Sequence, residues 1–250
     1  NGFVVGGVYW GLDEIDSEFL DLSTTDFNSN EEITIYLANA TISEDLTANP
    51  VSRADVFLNS NSMSNLGVSE LNAELGTYRA STNEGLQYND NEVVTLDITH
   101  SEIEHQIGLT LPPAPIFTLP ESHALGDSIT IDLSGQEFYE AFVIVVRGDT
   151  GELTYERRPN DIESLYSFAH PGDDPLGENT SFIETIEIPA SAFPEYNLYG
   201  IGVAGIRAAV PEDMININIM LSSLIAGKFN VQEYCVPDCQ TLLELQAQQQ

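Results

Sequence analysis

Basic residues are nearly missing from this chain. Seven Lys and Arg stand against forty Asp and Glu, for a formal charge of −33 at pH 7, and Lys228 is the single lysine. That shortage argues against two partner classes, because nucleic acid and anionic membrane are themselves negative and find no counter-charge here. Divalent cations and basic proteins are the natural partners. Long apolar runs are missing too: no stretch of 18 occurs, so no membrane-inserting helix is predicted. The opening Asn1-Gly2-Phe3 carries neither a basic region nor a cleavage pattern. It also lacks an initiating Met, which reads as a processed N-terminus. Cysteine is limited to two residues and tryptophan to one, Trp10.

What is present belongs to a folded protein. With 42% hydrophobic and 9% aromatic residues, the chain has enough apolar material for one or two cores despite its charge. On a folded surface of about 11,000 Å² the excess charges stand roughly 18 Å apart. They are largely screened at 0.15 M salt, where the Debye length is about 8 Å, and repel collectively at 0.01 M, where it is about 30 Å. A salt-adapted or marine protein and an exported acidic protein of ordinary habitat both fit. Cys235 and Cys239 flank Val-Pro-Asp. Zinc would need further ligands close by, so a small disulfide loop is the favoured reading, placing the protein outside the cytoplasm.

Hydrophobicity alternates in twos, the period of half-buried strands. Strands are predicted at 3–9, 32–37, 54–59, 77–80, 93–99 and 104–111. Then comes Leu111-Pro112-Pro113-Ala114-Pro115, whose prolines cannot join a central ladder. A second series follows at 116–119, 128–133, 141–147, 153–157, 164–169, 182–188, 198–206 and 215–231, with a hairpin turn at Asp149-Thr150-Gly151. The last run is too long for one straight strand, and a bend or break is expected at Ala226-Gly227. One helix is predicted over 241–250, with Thr241 and Glu244 at capping-box spacing. The expected fold is therefore all-β: two antiparallel β-sandwich domains in tandem, 1–111 and 116–234, joined by a Pro-rich linker at 112–115 and followed by a disulfide loop and short helical tail at 235–250.

Two segments bear a family likeness. Gly76-Thr77-Tyr78-Arg79-Ala80, and Ile188-Pro189-Ala190-Ser191-Ala192-Phe193-Pro194 leading to Tyr199-Gly200-Ile201-Gly202-Val203, resemble the late-strand segments of immunoglobulin-like (Ig-like) or fibronectin-type-III-like modules in bacterial surface proteins. The resemblance implies an Ig-like sandwich, with an aromatic at a strand corner. The paired core cysteines of antibody domains are absent.

Candidate chemistry is sparse. Gly200-Ile201-Gly202-Val203-Ala204-Gly205 matches the dinucleotide fingerprint by letter, but no helix pattern follows, so packed strand glycines are the reading. His100 and His105, five apart, would fall on opposite faces of a continuous strand and could share a metal only with a turn at Ser101, so solvent-facing histidines are the reading. No nucleophile–base motif is present, and the chain is read as non-enzymatic with no required cofactor. Calcium is the one candidate ion. Asp13 with Asp16, Asp90 with Glu92, and Asp173 with Asp174 each gather side-chain oxygens in a short segment. Asn39-Ala40-Thr41 and Asn179-Thr180-Ser181 fit the glycosylation sequon.

The leading functional reading is a secreted or cell-surface binding or structural protein whose partners are other surface proteins or further copies of itself. A second is a subunit of an extracellular filament or surface layer, assembled by strand donation from 3–10. A third is a carbohydrate-binding module presenting Phe138, Tyr139, Tyr155, Tyr166 and Phe168 to glycans.

Overall fold

The computed structural model describes residues 2–13, 31–41, 47–101, 103–158, 182–209 and 219–248. The alternating segments form strands, as their period requires. In the first half these are β1 (Gly2–Leu12), β2 (Glu32–Thr41), β3 (Thr47–Pro50), β4 (Asp55–Asn59), β5 (Leu66–Gly67), β6 (Ser69–Glu70), β7 (Thr77–Ser81), β8 (Val93–His100) and β9 (Ile103–Thr110). In the second they are β10 (Ile129–Asp132), β11 (Glu140–Arg147), β12 (Leu153–Arg157), β13 (Thr185–Ile188), β14 (Asn197–Ala209) and β15 (Ile219–Val236), followed by one helix, α1 (Cys239–Gln248).

The protein is all-β and built of two sandwiches. Among the described residues one nine-stranded sheet runs in the order β12-β11-β14-β15-β1-β2-β7-β6, with β3 added to β2. A four-stranded sheet, β5-β4-β8-β9, faces one half of it, and the pair β10-β13 faces the other. Phe3, Val5, Tyr9, Ile33, Ile35 and Leu37 of the large sheet meet Val56, Leu58, Leu96, Ile98 and Ile107 in the first core. Val143, Val145, Ile201 and Val203 meet Ile129, Ile131, Ile186 and Ile188 in the second. The second sandwich has Ig-type pairing: β11-β14-β15 as the C-F-G sheet over β10-β13 as B-E.

The two sandwiches share the large sheet across residues 112–115. β15 carries it: its even-numbered Leu224 and Ala226 enter the first core, while Tyr234 and Val236 enter the second. The ladder is antiparallel throughout except at the centre, where β1 lies parallel to β15, Phe3 through Leu12 pairing with Ile219 through Phe229. The other edge of β1 is taken by β2, from Gly2↔Ala40 to Trp10↔Glu32. β1 is therefore a central strand and offers no free edge for donation.

Four local expectations change. Residues 116–119 form no strand; they belong to a strap described below. β15 runs unbroken through Gly227, which serves a different end: a Cβ there would lie 2.4 Å from the Trp10 ring. The helix starts at Cys239, not at Thr241, because Asp238 is its cap, accepting from the Thr241 backbone N–H at 2.6 Å and hydroxyl at 2.8 Å. His100 and His105 are not on one strand. The chain reverses at Ser101, at φ +57°, so β8 and β9 pair Ile98 with His105 and His100 with Ile103. Both rings consequently turn inward: His100 stacks on Phe3 with centroids 6.4 Å apart, and His105 Nε2 meets the buried Ser222 Oγ at 2.6 Å. The strand expected at 164–169 lies outside the described residues.

Candidate functional site

The seam between the two sandwiches, on the inner face of β15, carries a row of polar side chains. Successive inward side chains along the strand are Lys228, Asn230 and Gln232, where an uninterrupted core would place apolar residues. Each has a partner from the loops that cross the seam. Lys228 Nζ lies 2.9 Å from Asp90 Oδ1, 3.6 Å from Asp13 Oδ1 and 6.0 Å from the centre of the Tyr88 ring. Asn230 Nδ2 donates to the Pro115 carbonyl at 2.8 Å, and Gln232 Nε2 to the Phe117 carbonyl at 3.0 Å.

The Pro-rich segment is thus a strap tied to the sheet. Proline supplies no N–H, so the strap can offer only carbonyls at those positions, and amide-bearing side chains on β15 are the complementary choice. Two further ties hold it: Tyr88 Oη donates to the Pro112 carbonyl at 2.8 Å, and Gln136 brackets Ile116 with two 2.7 Å bonds. Pro112, Pro115 and Phe117 are buried. Burial, reinforced by the Asp90 charge, pushes the Tyr88 phenol far above its ordinary value and keeps it a donor. Tyr9, buried beside Tyr88 with rings 5.1 Å apart, is raised for the same reason and donates to the Gln87 carbonyl.

The opposite face of the same strands is apolar. Trp10 of β1, Phe229 of β15 and Phe142 of β11 form a ring triad with centroids 5.4 to 5.6 Å apart. Small residues make this possible, since Gly227 stands directly opposite Trp10, and Ala204 separates Phe142 from Phe229 in the ladder. Gly205 does the equivalent on the inner face, where a Cβ would lie 2.4 Å from the Phe138 ring. The glycines of the fingerprint-like segment all sit within β14.

Of the calcium candidates, Asp13 and Asp90 come together, yet the cation between them is the Lys228 ammonium. Glu92 is engaged elsewhere: it accepts from the Ser62 backbone N–H at 2.9 Å, the Ser62 hydroxyl at 2.5 Å and Asn89 Nδ2 at 2.9 Å. Burial acts to raise its pKa, but hydrogen bonds from Ser62 and Asn89 outweigh that and bring it down to about 2. Asp16, Asp173 and Asp174 lie outside the described residues. Among the described residues no three His, Cys, Asp or Glu side chains gather as a metal would require.

Of the sugar-platform aromatics, Phe138 is buried in the core and Tyr155 packs against the second core, whereas Tyr139 contacts the exposed Phe182 at 5.3 Å. Tyr166 and Phe168 lie outside the described residues. Cys235 is disulfide-bonded. The side chain of Cys239 lies outside the described residues. The Lys228 seam and the Trp10 triad went unnoticed in the sequence. The available signal was a strand whose inward positions read Lys-Asn-Gln, and a lone Trp ending an apolar run.

No protein-family model matches the chain, and no curated protein matches it. Among solved structures, the chain is similar to the crystal structure of chicken CNTN1 FN1-FN3 domains at 11% identity, over 90% of this chain and 67% of that one, with a TM-score of 0.21. At that level of overlay the fold description rests on the strand order alone.

Proposed function

We propose that this chain is a non-enzymatic structural or binding protein that works outside the cell as a rigid spacer. The observation that supports it is the fused sheet: β15 spans both sandwiches as one strand of 18 residues, about 60 Å at roughly 3.3 Å per residue, and the interdomain segment is tied to it through the Pro115 and Phe117 carbonyls. Inter-domain motion is the default for tandem modules. Here the hydrogen bonds of β1, β14 and β15, with the Lys228, Asn230 and Gln232 ties, oppose it. The oxidised Cys235 and the strongly acidic surface support an exported setting.

The test is a distance distribution between spin labels on Ala73→Cys and Thr150→Cys, exposed sites on opposite edges of the large sheet. A single narrow distance is expected from 0.15 M to 2 M salt. A broad or two-component distribution overturns the spacer, and turnover of any substrate in a broad hydrolase panel, abolished by changing one carboxylate, overturns the non-enzymatic reading.

A further inference from the structure

We infer that the parallel pair β1–β15 is a shear clamp, and that this unit is built to carry tension along its chain. The inference rests on the rigid-spacer reading and adds a mechanical role to it.

The argument is geometric. The chain enters the unit at Gly2, the foot of β1, beside Ile219 at the foot of β15. It leaves the sheet at Val236, seven residues beyond Phe229, the last partner of β1. Because the two strands are parallel, a pull outward at both ends drags β1 and β15 past each other along their length. Every hydrogen bond from Phe3 to Leu12 is then loaded at once. Had the strands been antiparallel, the same pull would open the ladder one pair at a time from an end. The load also passes directly from β1 to β15, so neither the two smaller sheets nor the proline strap lies in its path.

The surroundings of the pair match that role. The Asp13 backbone N–H extends the ladder by donating to the Phe229 carbonyl at 2.8 Å. On the inner face Lys228 joins β15 to Asp13, immediately after β1. On the other face the Trp10 ring lies across Gly227 onto Phe229 and Phe142, so sliding β1 along β15 must drag an indole over a ridge of aromatic rings. Beyond the clamp, β15 continues paired to β14 as far as Val236. The strand that receives the load is thus anchored along its remaining length.

The experiment is single-molecule pulling of the whole chain along two axes. Handles at the termini load the clamp in shear; handles on Ala73→Cys and Thr150→Cys pull across the strands and peel the sheet from its edges. Forced unfolding reports the unfolding barrier and not the equilibrium stability, so the two axes can differ in a protein of one melting temperature. The terminal axis is expected to need at least about twice the force of the transverse axis, since shear breaks its bonds together. Trp10→Leu and Lys228→Met are expected to lower the terminal force and leave the transverse force within error. Ile131→Ala, in the second core, should lower the melting temperature without lowering the terminal force. Equal forces on the two axes, or a terminal force that follows melting temperature across these variants, overturn the clamp. Such a result leaves the narrow label distance of the spacer untouched, so the two readings fail separately.

Discussion

The two sandwiches close their cores differently. The first is covered by four strands, and its tyrosine reaches far: Tyr78 Oη donates to the Val51 carbonyl and accepts from the Ala54 N–H, both at 2.9 Å and more than twenty residues away in sequence. Among the described residues the second is covered by two strands, β10 and β13, and its tyrosine works locally. Tyr199 Oη donates to the Glu195 carbonyl at 2.8 Å, four residues upstream, across the turn that Ala190–Ala192 begins. A cluster of rings packs here, with His123, Phe193, Tyr199 and Tyr234 at centroid separations of 4.9 to 5.9 Å. The first core thus uses a tyrosine to tie segments distant in sequence, whereas the second uses one to fix a local corner.

The largest effect should come from the cores themselves. Leu58→Ala in the first and Ile131→Ala in the second, both fully buried, should each cost about 2–5 kcal/mol. If the shared β15 makes one cooperative unit, calorimetry will show a single transition that either substitution shifts. Two transitions, each moved by one variant only, would show the sandwiches to be independent.

Next come the tyrosine hydroxyls. Tyr78→Phe strands a buried carbonyl and an N–H together, and about 1–3 kcal/mol should be lost in denaturant unfolding. Tyr199→Phe, whose partners are more exposed, should cost about 1 kcal/mol. The reverse order would mean that the local corner carries more than the long reach.

Acidity should act on the second half through His123, as it does on the first through His105, whose pKa burial also lowers. Burial pushes the His123 pKa below its ordinary value, with Asp127 opposing, and among the described residues neither His123 Nε2 nor Tyr234 Oη has a hydrogen-bond partner. A depressed folded-state pKa means stability is complete above the unfolded value near 6.5 and is lost as pH falls through the folded one. His123→Phe should flatten that acid limb in a series of melts, and an unchanged limb would remove His123 as its cause. At the alkaline end, burial raises Tyr234 to about 12. Its contribution is present below pH 10 and lost between pH 10 and 12.

The smallest effect belongs to the loop of Glu92. Glu92→Gln should cost about 0.5–1 kcal/mol at pH 7, and the difference from wild type should vanish as pH falls from about 4.5 toward 2. That is the window over which the depressed carboxylate gains its proton. A difference that persists at pH 2 would assign the effect to packing.

Strand positions were readable because burial on one face imposes a period of two on any half-buried strand: β1, β2, β4, β7, β8, β11, β12 and β14 fall where alternation places them. The hairpin at Asp149-Thr150-Gly151 was equally readable, with Gly151 at φ +69°. Pairing was less so. A turn at Ser101 stood only as the alternative to a continuous strand, because one αL residue leaves no periodic trace, and the facing of His100 and His105 depended on it. The strap escaped because three prolines read as a linker between domains until Asn230 and Gln232 are seen to hold the Pro115 and Phe117 carbonyls. Of the candidate ion ligands, Asp13 and Asp90 share a place only because Lys228, more than a hundred residues beyond both, lies between them.

Composition and alternation alone settled that this chain is an acidic all-β protein, since charge count and side-chain period are properties of each segment by itself. Which strands became neighbours was decided only in three dimensions. The partner of Trp10 is a glycine more than two hundred positions away, and no local preference distinguishes a parallel neighbour at the centre of a sheet from a free edge. That choice required the whole chain to close on itself, turning two tandem sandwiches into one sheet with a clamp at its middle.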